Sequence, residues 1–312
     1  MSASPRVLVT GAGGFIGRHA LAPLAGRGFE VHAVTRRDPP APSSPDVRWH
    51  RADLLAANGR DALLAAVAPT HLLHLAWYAE HGRFWTSAEN LRWVAATIAL
   101  VQAFAEGGGR RAVLAGSCAE YRWGDRGPCI EGVTPLQPAT LYGTAKHATR
   151  AVIQSAAEEL GIEFAWGRVF FLYGPHEAPG RLVASVARAL VAGECAATGD
   201  GTQIRDLLHV ADVAAAFAAL LDSGVRGAVN IGSGEGRPLR EVIDAIGAAT
   251  GRADLLDIGA LAPRPDDPRE LVADVARLRD EVGFSPAIAL RDGIDRTVAW
   301  WQREAGRRGR GP

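Results

Sequence analysis

Lysine is nearly absent from this chain: its 34 basic residues are one lysine, Lys146, and 33 arginines. Cysteine is scarce as well. Cys118, Cys129 and Cys195 are odd in number and widely spaced, which fits neither a disulfide framework nor a zinc site and points to a reducing compartment. Net charge is missing, because 34 acidic residues balance the 34 basic ones. No basic field exists to hold a polyanion, so nucleic acid is not an expected partner. No segment reaches the roughly 18 uninterrupted apolar residues of a membrane span. The stretch between Met1 and the first apolar run also lacks the basic start and long apolar core of a secretory signal. A cytoplasmic protein with neither a membrane nor a metal partner is expected.

Short apolar runs rich in valine and leucine are present at Arg6 to Thr10, Glu30 to Val34, His71 to Leu75, Arg111 to Ala115 and Glu163 to Val169, with a weaker one at Val47 to His50. They read as strands buried on both faces. Between them lie alanine- and leucine-rich segments of helical period, such as Phe15 to Arg27, Ala88 to Glu106 and Thr140 to Leu160. The alternation predicts an α/β fold, a parallel sheet with helices on both sides. Beyond Tyr173 the pattern loosens, with a helix at Leu182 to Ala192 and a strand at Ala228 to Ile231. The expected division is a dinucleotide-binding domain over 1–170, with 203–230 returning to it, and a smaller lobe from 171–202 and 231–305. A disordered tail is expected over 306–312.

Residues Val7 to Gly17 read VLVTGAGGFIG and place Gly11, Gly14 and Gly17 where a strand turns into a helix. Such a turn needs glycine for space: for the turn itself, for the approach of a pyrophosphate, and for close packing of helix on strand. Free amides at the helix start face the phosphates. At the end of the second strand, where an acidic residue selects NAD, the sequence has Thr35, Arg36 and Arg37. Two guanidiniums suit the 2′-phosphate of NADP, or else form a solvated turn. Asp53 follows the third strand as an adenine contact or a helix cap.

YGTAK, Tyr142 to Lys146, opens a predicted helix. Residues four apart share a helical face, so the ammonium lies beneath the phenol and lowers its pKa, making Tyr142 a general acid or base. An arginine-rich chain that keeps one lysine here suggests that charge alone does not suffice, since a planar guanidinium cannot easily sit under a phenol and reach a ribose. Ser117, just past the fifth strand, either holds the substrate oxygen or caps the next turn.

Taken together, TGAGGFIG, HLAW, SCAEY, YGTAK, GRVFFLYGP, QIRDLLHVADVA, AVNIGSGE and TVAWW resemble the extended short-chain dehydrogenase/reductases, the NAD-dependent epimerase/dehydratase group that modifies nucleotide sugars. The resemblance spans nearly the whole chain. It implies a Rossmann-type doubly wound parallel sheet with a smaller C-terminal substrate lobe, and a homodimer. It also implies cofactor contacts from Phe15, Ile16, Leu54, Leu75 and Ala76 beside the glycines, and substrate contacts from Trp77, Phe171, Arg181, Arg205 and Arg264. Arg168 and Asp206 are implied to hold structure together, and Asn230 to lie near the nucleotide as a contact or a turn residue.

Departures narrow the chemistry. The Asp-Glu pair of a 4,6-dehydratase is Cys118 and Ala119 here, and the cysteine and histidine of a GDP-fucose synthase are out of register or replaced near Arg181. The asparagine two residues before the tyrosine of YGP is Phe171, which with Trp77 and Tyr78 suggests an apolar pocket for a 6-deoxy sugar or plain core. The expected activity is NADPH-dependent 4-ketoreduction of a nucleotide-linked 4-keto-6-deoxyhexose with Tyr142 as acid. The alternatives are an NAD-dependent 4-epimerase and, in another class, a non-catalytic dinucleotide sensor.

Overall fold

The computed structural model describes residues 4–38, 47–124, 127–262 and 267–308. Its centre is a seven-stranded parallel sheet of β1 (Arg6–Thr10), β2 (Glu30–Thr35), β3 (Val47–Arg51), β4 (His71–His74), β5 (Arg111–Ser117), β6 (Glu163–Val169) and, after a further stretch, β10 (Gly227–Ile231). The spatial order is β10-β6-β5-β4-β1-β2-β3. Chain order reverses between β1 and β4, which opens a crevice at the carboxyl edge of the sheet, where α/β proteins bind ligands. β5 runs on through Ser117, so the serine ends the strand instead of following it.

Helices cover both faces. α1 (Gly17–Gly26) and α6 (Val210–Asp222) pack on one side, and α2 (Ala57–Val67), α3 (Glu89–Glu106) and α4 (Leu141–Ala156) on the other. Ten of the 13 residues of α6 are buried, so it is a sandwiched helix, not a surface one.

The segment 203–230 does not return to the main sheet as a unit. β9 (Ile204–His209) pairs with β7 (Phe171–Tyr173), β11 (Gly236–Pro238) and β13 (Glu270–Leu271) in a separate sheet, and only α6 and β10 rejoin the large one. A third packed group joins α5 (Leu182–Ala192), α7 (Leu239–Thr250) and α8 (Leu290–Arg308) through Val186, Leu190, Val242, Ile246, Ile294 and Val298, next to the pair β8 (Ala196–Thr198) and β12 (Leu256–Ile258). The tail expected to be disordered from Gly306 is helical as far as Arg308, extended by an ion pair of Arg307 with Glu304 at 2.9 Å, and 309–312 lie outside the described residues. No helix among the described residues is long and apolar enough to cross a membrane.

Candidate active site

A cavity of about 540 Å³ opens at the carboxyl edge of β1, β4, β5 and β6. Its walls bring together Gly11, Gly14, Phe15, Ile16, Gly17, Thr35, Arg36, Arg37, Leu54, Leu75, Ala76, Trp77, Ser117, Tyr142, Lys146, Phe171 and Arg181. These expected residues, distant in sequence, meet because most lie at or just past a strand end or in the first turns of a helix.

Three expectations do not meet at this wall. Asp53 is exposed and turns its Oδ1 back to accept from the Leu55 amide at 3.1 Å, so it shapes the turn before α2 while its neighbour Leu54 faces the cavity. Arg205 is buried behind the wall: its guanidinium donates to Asp267 Oδ1 at 2.6 Å and to the Ile204 carbonyl at 2.8 Å, and lies 5.3 Å from the Phe171 ring. A buried cation needs such partners. Tyr78 donates to Glu80 Oε2 at 2.8 Å outside the cavity, and the aromatic wall is completed by Phe84 and Trp85 in its place. Arg264 lies outside the described residues.

Tyr142 and Lys146, expected from the sequence as the catalytic pair, are placed by the first turns of α4. Thr140 caps the helix, its Oγ1 accepting from the Gly143 amide at 3.1 Å. A side chain on Gly143 would collide with the Ala119 carbonyl oxygen, so only glycine lets the helix start close enough to set Tyr142 beside Ser117. The Tyr142 ring is held edge-on by Phe84 at 4.9 Å and Trp85 at 5.8 Å, and its amide donates to the Trp85 carbonyl. Burial pushes the phenol up to about 12, while the Ser117 hydroxyl opposes the rise.

Lys146 falls on the buried stripe of α4 with Gly143, Ala145, Thr149 and Ile153, positions that a helix normally fills with apolar groups. Nζ donates to the Ala115 carbonyl at 2.9 Å. Burial drives the ammonium down to about 7, and the Glu120 carboxylate counters it. His74 behind it bridges Thr10 and Thr97 and is pushed down to about 3 by burial and then by Lys146, so it is neutral.

Glu120, which sequence reasoning passed over, organises this corner. It sits in the 3-10 turn Cys118–Glu120, wholly buried, and accepts from the Ser117 amide at 2.9 Å, Trp166 Nε1 at 2.8 Å and Arg168 Nε at 3.0 Å. The spacing of Ser117 and Glu120 is that of a capping box, the one signal that could have found it. The Ser117 hydroxyl oxygen accepts from the Ala119 amide at 3.2 Å, so the serine caps this turn and also faces Tyr142 with its proton free to donate. Arg168 also donates to the Tyr121 hydroxyl, which in turn donates to Asn230. Asn230 is a buried strand residue that donates to Cys129 and Asp274, away from the cavity.

Among the described residues that line the cavity, the ionisable ones are Arg36, Arg37, Cys118, Tyr142, Lys146 and Arg181. None is a carboxylate or a histidine. Cys118 is held as the thiol, pushed up to about 12 by burial. Three arginines and Lys146 on a wall that itself carries no carboxylate suit anionic ligands, and a diphosphate in particular.

The sequence model of the NAD dependent epimerase/dehydratase family matches residues 7–232. The chain belongs to this family. It is 29% identical to a UDP-glucose 4-epimerase of Azospirillum brasilense across 97% of its own length and 93% of that protein. A UDP-glucose 4-epimerase of Thermus thermophilus, solved in complex with NAD, is 29% identical with a TM-score of 0.83, covering 95% of this chain and 99% of the other. MoeE5, solved with UDP-glucuronic acid and NAD, is 33% identical with a TM-score of 0.84 over 96% of this chain and 99% of its own.

The glycine loop fits the dinucleotide this family uses. A side chain on Gly17 would collide with the Gly11 carbonyl oxygen and the Ala12 Cα, so helix and strand pack at glycine distance and leave the loop open toward the cavity. Gly11, Gly13, Gly14, Phe15 and Ile16 line that opening, with Thr35, Arg36 and Arg37 at its far end.

Proposed function

We propose that this protein is a nucleotide-sugar 4-epimerase that works through a transient 4-ketone, using NAD without net redox change. The observation that carries the reading is a cavity holding Ser117, Tyr142 and Lys146 and lined, among the described residues, by no carboxylate or histidine. Elimination of water across two carbons, or inversion beside a carbonyl, needs a base for a carbon-bound proton. Among the described residues that line the cavity, no carboxylate or histidine is placed for that task. What the site can do is exchange the proton of a hydroxyl while the carbon beneath it is oxidised and reduced.

The glycine loop would hold the pyrophosphate, and Lys146 would reach the nicotinamide ribose. Bound nicotinamide supplies the acceptor and then the donor for the C4 hydrogen. Tyr142 takes the proton from the sugar O4 as the ketone forms and returns it to O4 as the alcohol is restored. Ser117 donates to O4 and fixes it against Tyr142. Lys146, when charged, favours the phenolate and offsets the burial that pushes the phenol up. Phe171 and Trp85 exclude water, and Arg181 faces the substrate phosphates. The smaller sheet around β9 and the α5, α7 and α8 group would form the sugar-nucleotide lobe. Support for this choice comes from the relatives, which include UDP-glucose 4-epimerases matched over nearly their whole length.

One observation favours a second reading, NADPH-dependent 4-ketoreduction. Arg36 and Arg37 line the cavity at the end of β2, and among the described residues no carboxylate pairs with either. The readings separate on the cofactor. An epimerase recycles its NAD, so the purified protein is expected to carry NAD and to epimerise UDP-glucose or UDP-glucuronic acid with no added reductant. NADP in the purified protein, or NADPH consumption that requires a 4-keto sugar nucleotide, would transfer the assignment to the reductase.

A further inference from the structure

Lys146 needs a charge to act on Tyr142, yet its surroundings work against one. The side chain is 4% exposed. The titratable groups that face it are Glu120 from the turn after β5, His74 from β4 and Tyr142 from α4 itself; of these only Glu120 favours the ammonium. Glu120 is already engaged by Arg168, Trp166 and the Ser117 amide.

A different group lies against the ammonium. Lys146 Nζ stands 3.8 Å from the centroid of the Trp77 ring, much nearer than the Trp166 ring at 5.9 Å or the Tyr142 ring at 6.0 Å. The indole is fixed in that place. Its Nε1 donates to Asn90 Oδ1 at 2.9 Å, and Asn90, which has no exposed surface, donates to the Phe84 and Ser87 carbonyls at 2.8 Å each. Trp93 packs behind it at 6.2 Å. A chain of buried contacts thus runs from the start of α3 through Asn90 and Trp77 to the ammonium.

We propose that Trp77 is a positioning residue for Lys146: its ring, held by Asn90, keeps the buried ammonium protonated and aimed into the cavity. The electron-rich face of an indole attracts a cation without bringing a carboxylate into the site. A salt bridge in the same place would add a carboxylate to a cavity lined, among the described residues, by none, and would compete with the ribose for the ammonium's donors. The Ala115 carbonyl takes one N–H and the ring covers another side, which leaves the remaining donor direction for a ligand. Trp77, expected from the sequence as a sugar contact, is here assigned a task toward Lys146.

This assignment rests on Lys146 acting beneath Tyr142, so its test uses a readout that needs no substrate. Because the chain has one lysine, protein grown on isotope-labelled lysine gives a single side-chain ε-methylene signal whose shift reports ring proximity and whose titration reports the charge. The wild-type ε-protons are expected well upfield of free lysine, from the ring current of Trp77, and to stay there when NAD is added. In Trp77→Leu the signal should return toward the ordinary position and its titration midpoint should fall by about 0.5–1.5 pH units. Trp77→Phe, which keeps a weaker aromatic face, should lie between. A wild-type signal at the ordinary lysine position overturns the proposal without any variant, and so does a Trp77→Leu midpoint equal to wild type. If Trp77→Leu does not fold, the Phe midpoint decides: below wild type supports the proposal, equal to it overturns it. A protein that turned over no sugar nucleotide but showed the shifts would refute the proposed function and leave this inference standing.

Discussion

Lys146→Arg is expected to lose turnover on the order of a hundredfold or more while remaining folded. Charge is conserved in the change, so the loss comes from shape. Lys146 reaches the Ala115 carbonyl with a single nitrogen while its ammonium sits against the Trp77 face, and a guanidinium is longer, planar and fixed in its donor directions. It would miss the carbonyl or displace the indole, and either movement misplaces the charge that acts on Tyr142. The site is buried, so overfilling it should also cost stability, by about 1–3 kcal/mol. Steady-state rates beside a melting curve check this. A folded variant with more than about a third of wild-type turnover would mean that Lys146 has no special place in the chemistry.

Glu120→Gln should produce the largest loss of stability. Arg168, 1% exposed, would keep its charge and lose its only carboxylate partner among the described residues. Breaking one side of a buried pair costs about 3–5 kcal/mol, or roughly 5–8 °C in melting temperature for a chain of 312 residues. Replacing both members by apolar groups, as in Glu120→Leu with Arg168→Met, should recover part of the loss, because the stranded charge is removed with its partner. Thermal unfolding of Glu120→Leu, Arg168→Met and the double variant measures the coupling. Equal, additive losses would show that the pair does not act as a unit.

Most of the fold can be read from the sequence because apolar strands and amphipathic helices alternate with the two periods that a doubly wound sheet requires. The glycine loop, Ser117, Tyr142 and Lys146 are legible for a related reason: each lies at a strand end or helix start, and topology brings those ends together. What stayed hidden depends on distant partners. Nothing local in QIRDLLH says that β9 leaves the large sheet for β7, β11 and β13, since its apolar residues suit either. Nothing local shows that Arg205 pairs with Asp267, 62 residues away. Trp77 and Asn90 are 13 residues apart in different elements, and their bond with each other and contact with Lys146 need the folded chain. The turn from Cys118 to Glu120 was the nearest miss, with a capping-box spacing in plain view and its buried arginine partner 48 residues on.

The measurement that bears most directly on the central claim is turnover of UDP-glucose or UDP-glucuronic acid in deuterated water, with the product followed by proton NMR. On the proposed epimerase reading, a cavity lined among the described residues by no carboxylate or histidine predicts the C4 epimer with its carbon-bound hydrogens unchanged, since bound nicotinamide would supply the hydride chemistry and Tyr142 would exchange only hydroxyl protons. Tyr142→Phe should abolish that product. Deuterium at a ring carbon, or full epimerisation by Tyr142→Phe, would contradict the account.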